Sequence, residues 1–380
     1  MTIYLDNQAT TPCDSRVVEA MLPFFTTVFG NPHSVDHRFG LEAAEAVEAA
    51  REQVAALLGA EAREIVFTSG ATEANNLAIK GAVRHRARQG DVARRIITVA
   101  TEHKCVLESV ASLAAEGFEP VILPVERDGC LAPDVLARAL AVPTLLVSVM
   151  GANNETGVMH DLGALIPLAR EAGALVHLDL AQLAGKLPVS VRELDCDLAS
   201  MSAHKMYGPK GIGALYVRRR PRARLDALFS GGGQERGLRS GTLPTPLIVG
   251  FGVASALASA EMATEARRVS RLRDALWEAM KEAAPGIARN GDPRHVLPGA
   301  LNVCFPAPWL ARDIMARLPT LAMSTGSACS SAEIVPSYVL TAMGLSAEEA
   351  ARSLRLSIGR FTSSAEINRA AALFRAALAH

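Results

Sequence analysis

Between residues 64 and 217, seven short β-rich runs alternate with longer stretches of helical periodicity, and this rhythm constrains the fold more than any other feature. The runs are EIVFTS (64–69), RIITVA (95–100), PVILPV (120–125), TLLVSVM (144–150), ALVHLD (174–179), LASMSA (198–203) and GIGALYV (211–217). Segments 71–90 and 104–116 carry apolar residues at helical spacing, while 41–58 brings Val47, Val54 and Leu58 onto one face and stops at Gly59. The expectation is an α/β unit with a mostly parallel seven-stranded sheet. After a long helical stretch, about 247–284, the pattern changes to ALNVCF, ALAMST and SLRLSIG with helices between them and a last helix near 364–379. That predicts a smaller α+β unit. The division drawn is a large domain, 14–255, and a small one built from 1–13 and 256–380.

Composition removes several function classes. The 39 basic residues balance 39 acidic ones, so no overall field draws the chain to nucleic acid or an anionic membrane. The dense basic run Arg218 to Arg224 has no aromatic residues within it and reads as a solvated loop. Segment 241–260 lacks charge but holds Pro244, Pro246, Gly250 and Gly252, which break its first half, so no membrane span is expected. Six cysteines stand at 13, 105, 130, 196, 304 and 329 without a CxxC pair, which excludes a zinc knuckle and argues against a disulfide scaffold. Reduced thiols and a cytoplasmic setting follow, since the N-terminus shows no apolar signal core. His33 and His37 are read as part of a turn near the cleft, not as metal ligands.

The chemistry begins with lysine, because only six occur. Lys80 and Lys281 fall on charged helix faces and Lys186 in a Gly-Lys-Leu-Pro turn, all read as solvated. Lys205 stands just beyond the strand 198–203, and in open α/β sheets ligands bind at the carboxyl ends of strands. Other strand ends add matching parts. Asp179 closes the strand 174–179 with Gln182 three residues on, a carboxylate calling for a cationic partner or serving as a helix cap. Gly70, Ala71 and Thr72 open a helix whose free N–H groups suit an anion, a reading these residues share equally with a simple helix cap. His103 and Asn154 follow two further strands. One cofactor uses all of these: pyridoxal phosphate needs a lysine for its aldehyde, a carboxylate for its ring nitrogen, a helix terminus for its phosphate and a flat group over its ring.

The joint pattern resembles the fold type I cysteine desulfurases of iron–sulfur-cluster assembly and nitrogen fixation. The likeness runs through YLDNQATTP (4–12), GNPHS (30–34), SGATEANN (69–76), TEHK (101–104), NNETG (153–157), SAHKMYGPKGIG (202–213), GGGQERGLRSGTLP (231–244), STGSACSS (324–331) and RLSIGR (355–360). It implies that Lys205 is the Schiff-base lysine, Asp179 the partner of the pyridinium nitrogen, Gln182 that of the ring oxygen and His103 the stacking group. Ala71, Thr72, Ser202 and His204 would hold the phosphate, and Thr242 would reach the phosphate of a second copy, which requires a homodimer. Asn154 and Arg355 would bind L-cysteine, and Cys329, in a loop of small residues at about 322–336, would carry the persulfide to a sulfur-acceptor protein. The other five cysteines are assigned to helical or strand-like patterns, and GGGQERG to the active-site wall. Leu178, Leu180 and Leu183 predict a tighter ring environment than in relatives. The chain also ends soon after its last helix, which points away from the scaffold partner of housekeeping members. Two rivals are a selenocysteine lyase or other elimination enzyme on this fold, and a non-catalytic sulfur-relay protein.

Overall fold

A computed structural model describes residues 2–326 and 336–378. The first strand, β1 (Ile3–Tyr4), pairs in parallel with a distant two-residue strand described below. The central sheet then comprises β2 (Ile65–Thr68), β3 (Arg95–Val99), β4 (Glu119–Leu123), β5 (Thr144–Met150), β6 (Leu175–Asp179), β7 (Leu198–Ser202) and β8 (Gly213–Val217). Their order is β2-β8-β7-β6-β5-β3-β4, with only β8 antiparallel to its neighbours. All seven expected strands form. The middle strands are buried on both faces, which explains their continuous apolar runs. Ile97, Val99, Val147, Val149 and Val176 face one core, and Ile96, Leu146, Leu198 and Leu215 the other.

The direction of these strands places the site. Because β2, β3, β5, β6 and β7 run the same way, their carboxyl ends gather the loops beginning at Ser69, Ala100, Gly151, Leu180 and Ala203 along one edge. Helix Arg38–Leu58 starts earlier than its periodicity suggests, because the His37 ring accepts from the Gly40 N–H. It ends where expected, at Gly59, whose φ of 65° is left-handed.

A smaller antiparallel sheet holds β9 (Ala288–Arg289), β10 (Ala300–Cys304) and β12 (Ser353–Ser357) in the order β12-β10-β9, while β11 (Leu321–Ala322) pairs with β1. Its core joins Ile3 and Leu5 to Val303, Leu354, Leu356 and Phe374. The long helix Thr245–Ala283 serves both cores, giving Ile248, Phe251 and Ala258 to the first and Val269, Leu272, Leu276 and Met280 to the second. By length and composition it could cross a membrane, yet Ile248, Phe251 and Ala258 are buried inside the molecule. Gly250 and Gly252 do not break it. They lie within it at close approaches, where a Cβ on Gly252 would come within 2.6 Å of the Ala50 backbone and one on Gly250 within 2.5 Å of the Met21 sulfur.

Candidate active site

Ten of the residues singled out from the sequence line one cavity of about 570 Å³ at the carboxyl edge of the sheet: Ala71, Thr72, His103, Asn154, Asp179, Gln182, Ser202, His204, Lys205 and Arg355. Thr242 is exposed and lies outside it. Cys329 falls outside the described residues, although Gly326 and Tyr338, on either side of that segment, both line the cavity.

The Lys205 Nζ donates to the carbonyls of Gln8 (2.6 Å) and Ala9 (2.7 Å), so the N-terminal segment fixes the direction of the amine. Asp179 is buried, and its Oδ2 accepts from Asn75 Nδ2 at 2.7 Å while its Oδ1 accepts from the Ala181 N–H at 2.9 Å. Among the described residues no lysine or arginine forms an ion pair with it. The cationic partner expected from its burial is therefore not supplied by this part of the chain, and no helix follows that it could cap. A buried carboxylate with two neutral donors, open to a cavity, suits a cation brought by a ligand.

His103 caps helix Lys104–Ser112 through Nδ1, which accepts from the Cys105 N–H. Burial holds its imidazole below the ordinary range, so a neutral ring faces the cavity. Burial, aided by the neighbouring Lys205 charge, lowers His204 to about 4, and its Nδ1 lies 3.0 Å from Thr10 Oγ1. Gly70 precedes helix Ala71–Arg88 and offers no side-chain cap. The first-turn N–H groups at Ala71 and Thr72, with the Thr72 and Ser202 hydroxyls lining the same cavity, therefore form a donor set fit for an anion. Arg355 is buried, and its guanidinium donates to Asp6 Oδ1 (2.8 Å), the Asn154 carbonyl (2.9 Å) and the Gly326 carbonyl (3.2 Å). Among the described residues its Nε and the Asn154 Oδ1 are buried without a partner, capacity that a bound ligand could use.

Several readings need correction. Lys186 is not solvated: it is half-buried, with its Nζ donating to Gln182 Oε1 at 2.7 Å. Leu178, Leu180 and Leu183 pack into the sheet core, and Ala181 is the neighbour that lines the cavity, so those leucines do not tighten it. The GGGQERG segment is absent from the cavity wall; instead buried Glu235 accepts from Arg51 through two bonds of 2.8 Å and from the Phe67 N–H. GNPHS does not line it either. Arg218 is buried beside Asp195 and Asp197 and is not part of a solvated loop. Of the five described cysteines, Cys13, Cys130 and Cys196 lie in loops, and Cys105 and Cys304 sit in a helix and a strand. Sequence reasoning also missed Asn75, Gln8 and Cys105, whose thiol lies 3.0 Å from His103 Nδ1 and is pushed up to about 12, chiefly by burial.

Residues 3–370 match the model for aminotransferase class-V. The chain belongs to this family. Relatives within it include cysteine desulfurases. The chain is 51% identical over 373 residues to the cysteine desulfurase IscS of Rickettsia bellii (strain OSU 85-389), covering 98% of this chain and 90% of that one. It is 48% identical over 367 residues to the human cysteine desulfurase, covering 96% and 79%. Among solved structures a NifS-like protein superposes with a TM-score of 0.91 at 35% identity over the full length of both chains. SspA in complex with cysteine gives 0.83 at 36% identity, covering 96% of this chain and 100% of that one. This class-V aminotransferase thus has the fold type I architecture of the NifS-like proteins, and the strand-end residues of its cavity are those on which the sequence resemblance rested.

Proposed function

We propose that this chain is a pyridoxal-phosphate-dependent cysteine desulfurase, converting L-cysteine to L-alanine and leaving the sulfur as a persulfide on Cys329. The observation that carries the reading is the convergence of Lys205, Asp179, His103, Arg355 and the Ala71–Thr72 helix start on one cavity. Bound there, the cofactor supplies an electron sink for negative charge developing at the substrate Cα. Lys205 anchors it and moves the proton at Cα. Asp179 would keep the ring nitrogen positive, a cation to match a buried carboxylate that forms no ion pair among the described residues. His103, neutral, would stack on the ring; Ala71, Thr72, Ser202 and His204 would hold the phosphate. Gln182 donates to the ring oxygen, and Arg355 with Asn154 seats the substrate carboxylate. Cys329 receives the sulfur and passes it to an acceptor protein, in iron–sulfur-cluster assembly or in tRNA or cofactor thiolation.

The active form is a homodimer in the cytoplasm. Leu22, Phe25, Phe29, Val35 and Phe39 are exposed close together in sequence, and the rings of Phe29 and Phe39 lie 5.4 Å apart, an apolar surface suited to a second copy that brings Thr242 to the phosphate. The separate core of the smaller sheet supports a large unit, 14–255, and a smaller one of 1–13 and 256–380 joined by the long helix, with Ala258, Leu297 and Ala300 of the latter packing into the larger core.

The test is stoichiometric. With cofactor and L-cysteine, the protein is expected to form alanine and protein-bound persulfide together; Lys205→Ala should lose the visible absorption of covalently held cofactor, and Cys329→Ser should keep that absorption but form no persulfide. Undiminished desulfuration by Cys329→Ser would overturn the persulfide route.

A further inference from the structure

Lys186 sits behind the cavity, in the turn after β6, and its amine is aimed at Gln182. The turn is pinned there: Gly185 has a left-handed φ of 75°, and a Cβ on it would fall 2.9 Å from the Met206 side chain. Gln182 in turn donates from Nε2 to the Gln8 carbonyl at 2.9 Å, and that carbonyl also accepts from Lys205 at 2.6 Å. The two ends of a primary amide are nearly the same size, so its hydrogen-bond partners decide which way it faces. Gln8 C=O can only accept and selects the NH2 end; the Lys186 ammonium can only donate and selects the oxygen. Gln182 lines the cavity, so what remains for a ligand is the second N–H of that NH2 group.

We infer that Lys186 is a positioning residue, which holds the Gln182 amide as a donor toward the cavity and so suits it to an anionic oxygen on the cofactor ring. The inference rests on the cofactor assignment above and adds a residue to it. The charged groups around the Lys186 amine are Lys205, Arg355 and Glu265, and the titratable His204 also faces it. Burial first, then the Lys205 and Arg355 charges, lower the amine to about 7, against the opposing pull of Glu265. In either protonation state it keeps N–H bonds to donate.

A donor to an anionic ring oxygen lowers the pH at which the bound cofactor gives up its proton, and losing the donor raises that pH. The experiment titrates the visible absorption of the cofactor-loaded protein against pH for the wild type, Lys186→Met, Gln182→Leu and the double variant. The Lys186→Met midpoint is expected to rise by about 0.5 to 1 pH unit, the size of one neutral hydrogen bond. Because Lys186 acts through Gln182, Lys186→Met should add nothing in the Gln182→Leu background. An unchanged midpoint in Lys186→Met, or additive shifts in the double variant, would overturn the inference. Should Lys186→Met fail to hold cofactor, Lys186→Gln decides: it keeps an N–H donor without the charge, so a midpoint near wild type supports the role and one moved as far as in Gln182→Leu rejects it. Absence of visible absorption in the wild type would instead overturn the cofactor assignment, and this inference with it.

Discussion

Asp179 closes β6 with a carboxylate held away from water, and Asn75 supplies its shorter hydrogen bond, 2.7 Å against 2.9 Å from the Ala181 N–H. Asn75→Leu, of similar size, should therefore weaken cofactor binding by about 10- to 100-fold, the worth of one hydrogen bond to a charged group. Titration of the apoprotein with pyridoxal phosphate measures it, and an unchanged affinity would remove Asn75 from the site. Asp179 and Lys205 could be read from the sequence because a strand end announces itself locally and all parallel strand ends share an edge, whereas Ser202 and His204 entered only through the family resemblance. Asn75 could not. It stands inside a helix whose periodicity marks it only as an inward position, and its partner lies 104 residues away. Lys186 was misread for a related reason: the Gly-Lys-Leu-Pro turn looks exposed until the amine is seen turned inward to Gln182.

At the level of elements, β5, β6 and β7 are tied by side chains as well as by their backbone ladder. His177 bridges Ser148 Oγ at 2.8 Å and Ser200 Oγ at 3.0 Å, all buried. Burial pushes His177 down to about 3 and, with a small opposing pull from Asp128, His160 to about 4. The unfolded chain titrates its histidines near 6.5, so between these values it binds more protons than the folded one. The stabilisation is then complete above pH ~6.5 and is lost as pH falls toward the folded values. Urea midpoints should accordingly decline from pH 7 to 4.5, and His177→Gln should flatten part of that decline; an identical pH profile would contradict this account. The strands other than β4 were legible because burial on both faces demands unbroken apolar runs, while the edge strand β4 exposes Glu119 and Ile122. The helix containing Gly250 and Gly252 was legible from about 247, although local propensity counts glycine as a breaker where packing uses it to let Ala50 and Met21 approach.

For the whole molecule, the proposed contact with a second copy falls on the exposed Leu22, Phe25, Phe29, Val35 and Phe39. Sedimentation velocity should find a dimer, and Phe25→Glu should shift it to monomer while weakening cofactor affinity through loss of the second copy's Thr242. A wild-type monomer, or a variant that remains dimeric, would refute this arrangement. The helix Thr245–Ala283 has a consequence of another kind. At 39 residues it is about 58 Å long and continuous from Ile248 in one core to Met280 in the other. Loss of the smaller core would strip the face carrying Val269, Leu272 and Leu276, and loss of the larger one would strip Ile248 and Phe251. The two cores are therefore expected to melt as one cooperative unit, in a single calorimetric transition, and two resolved transitions would contradict that coupling.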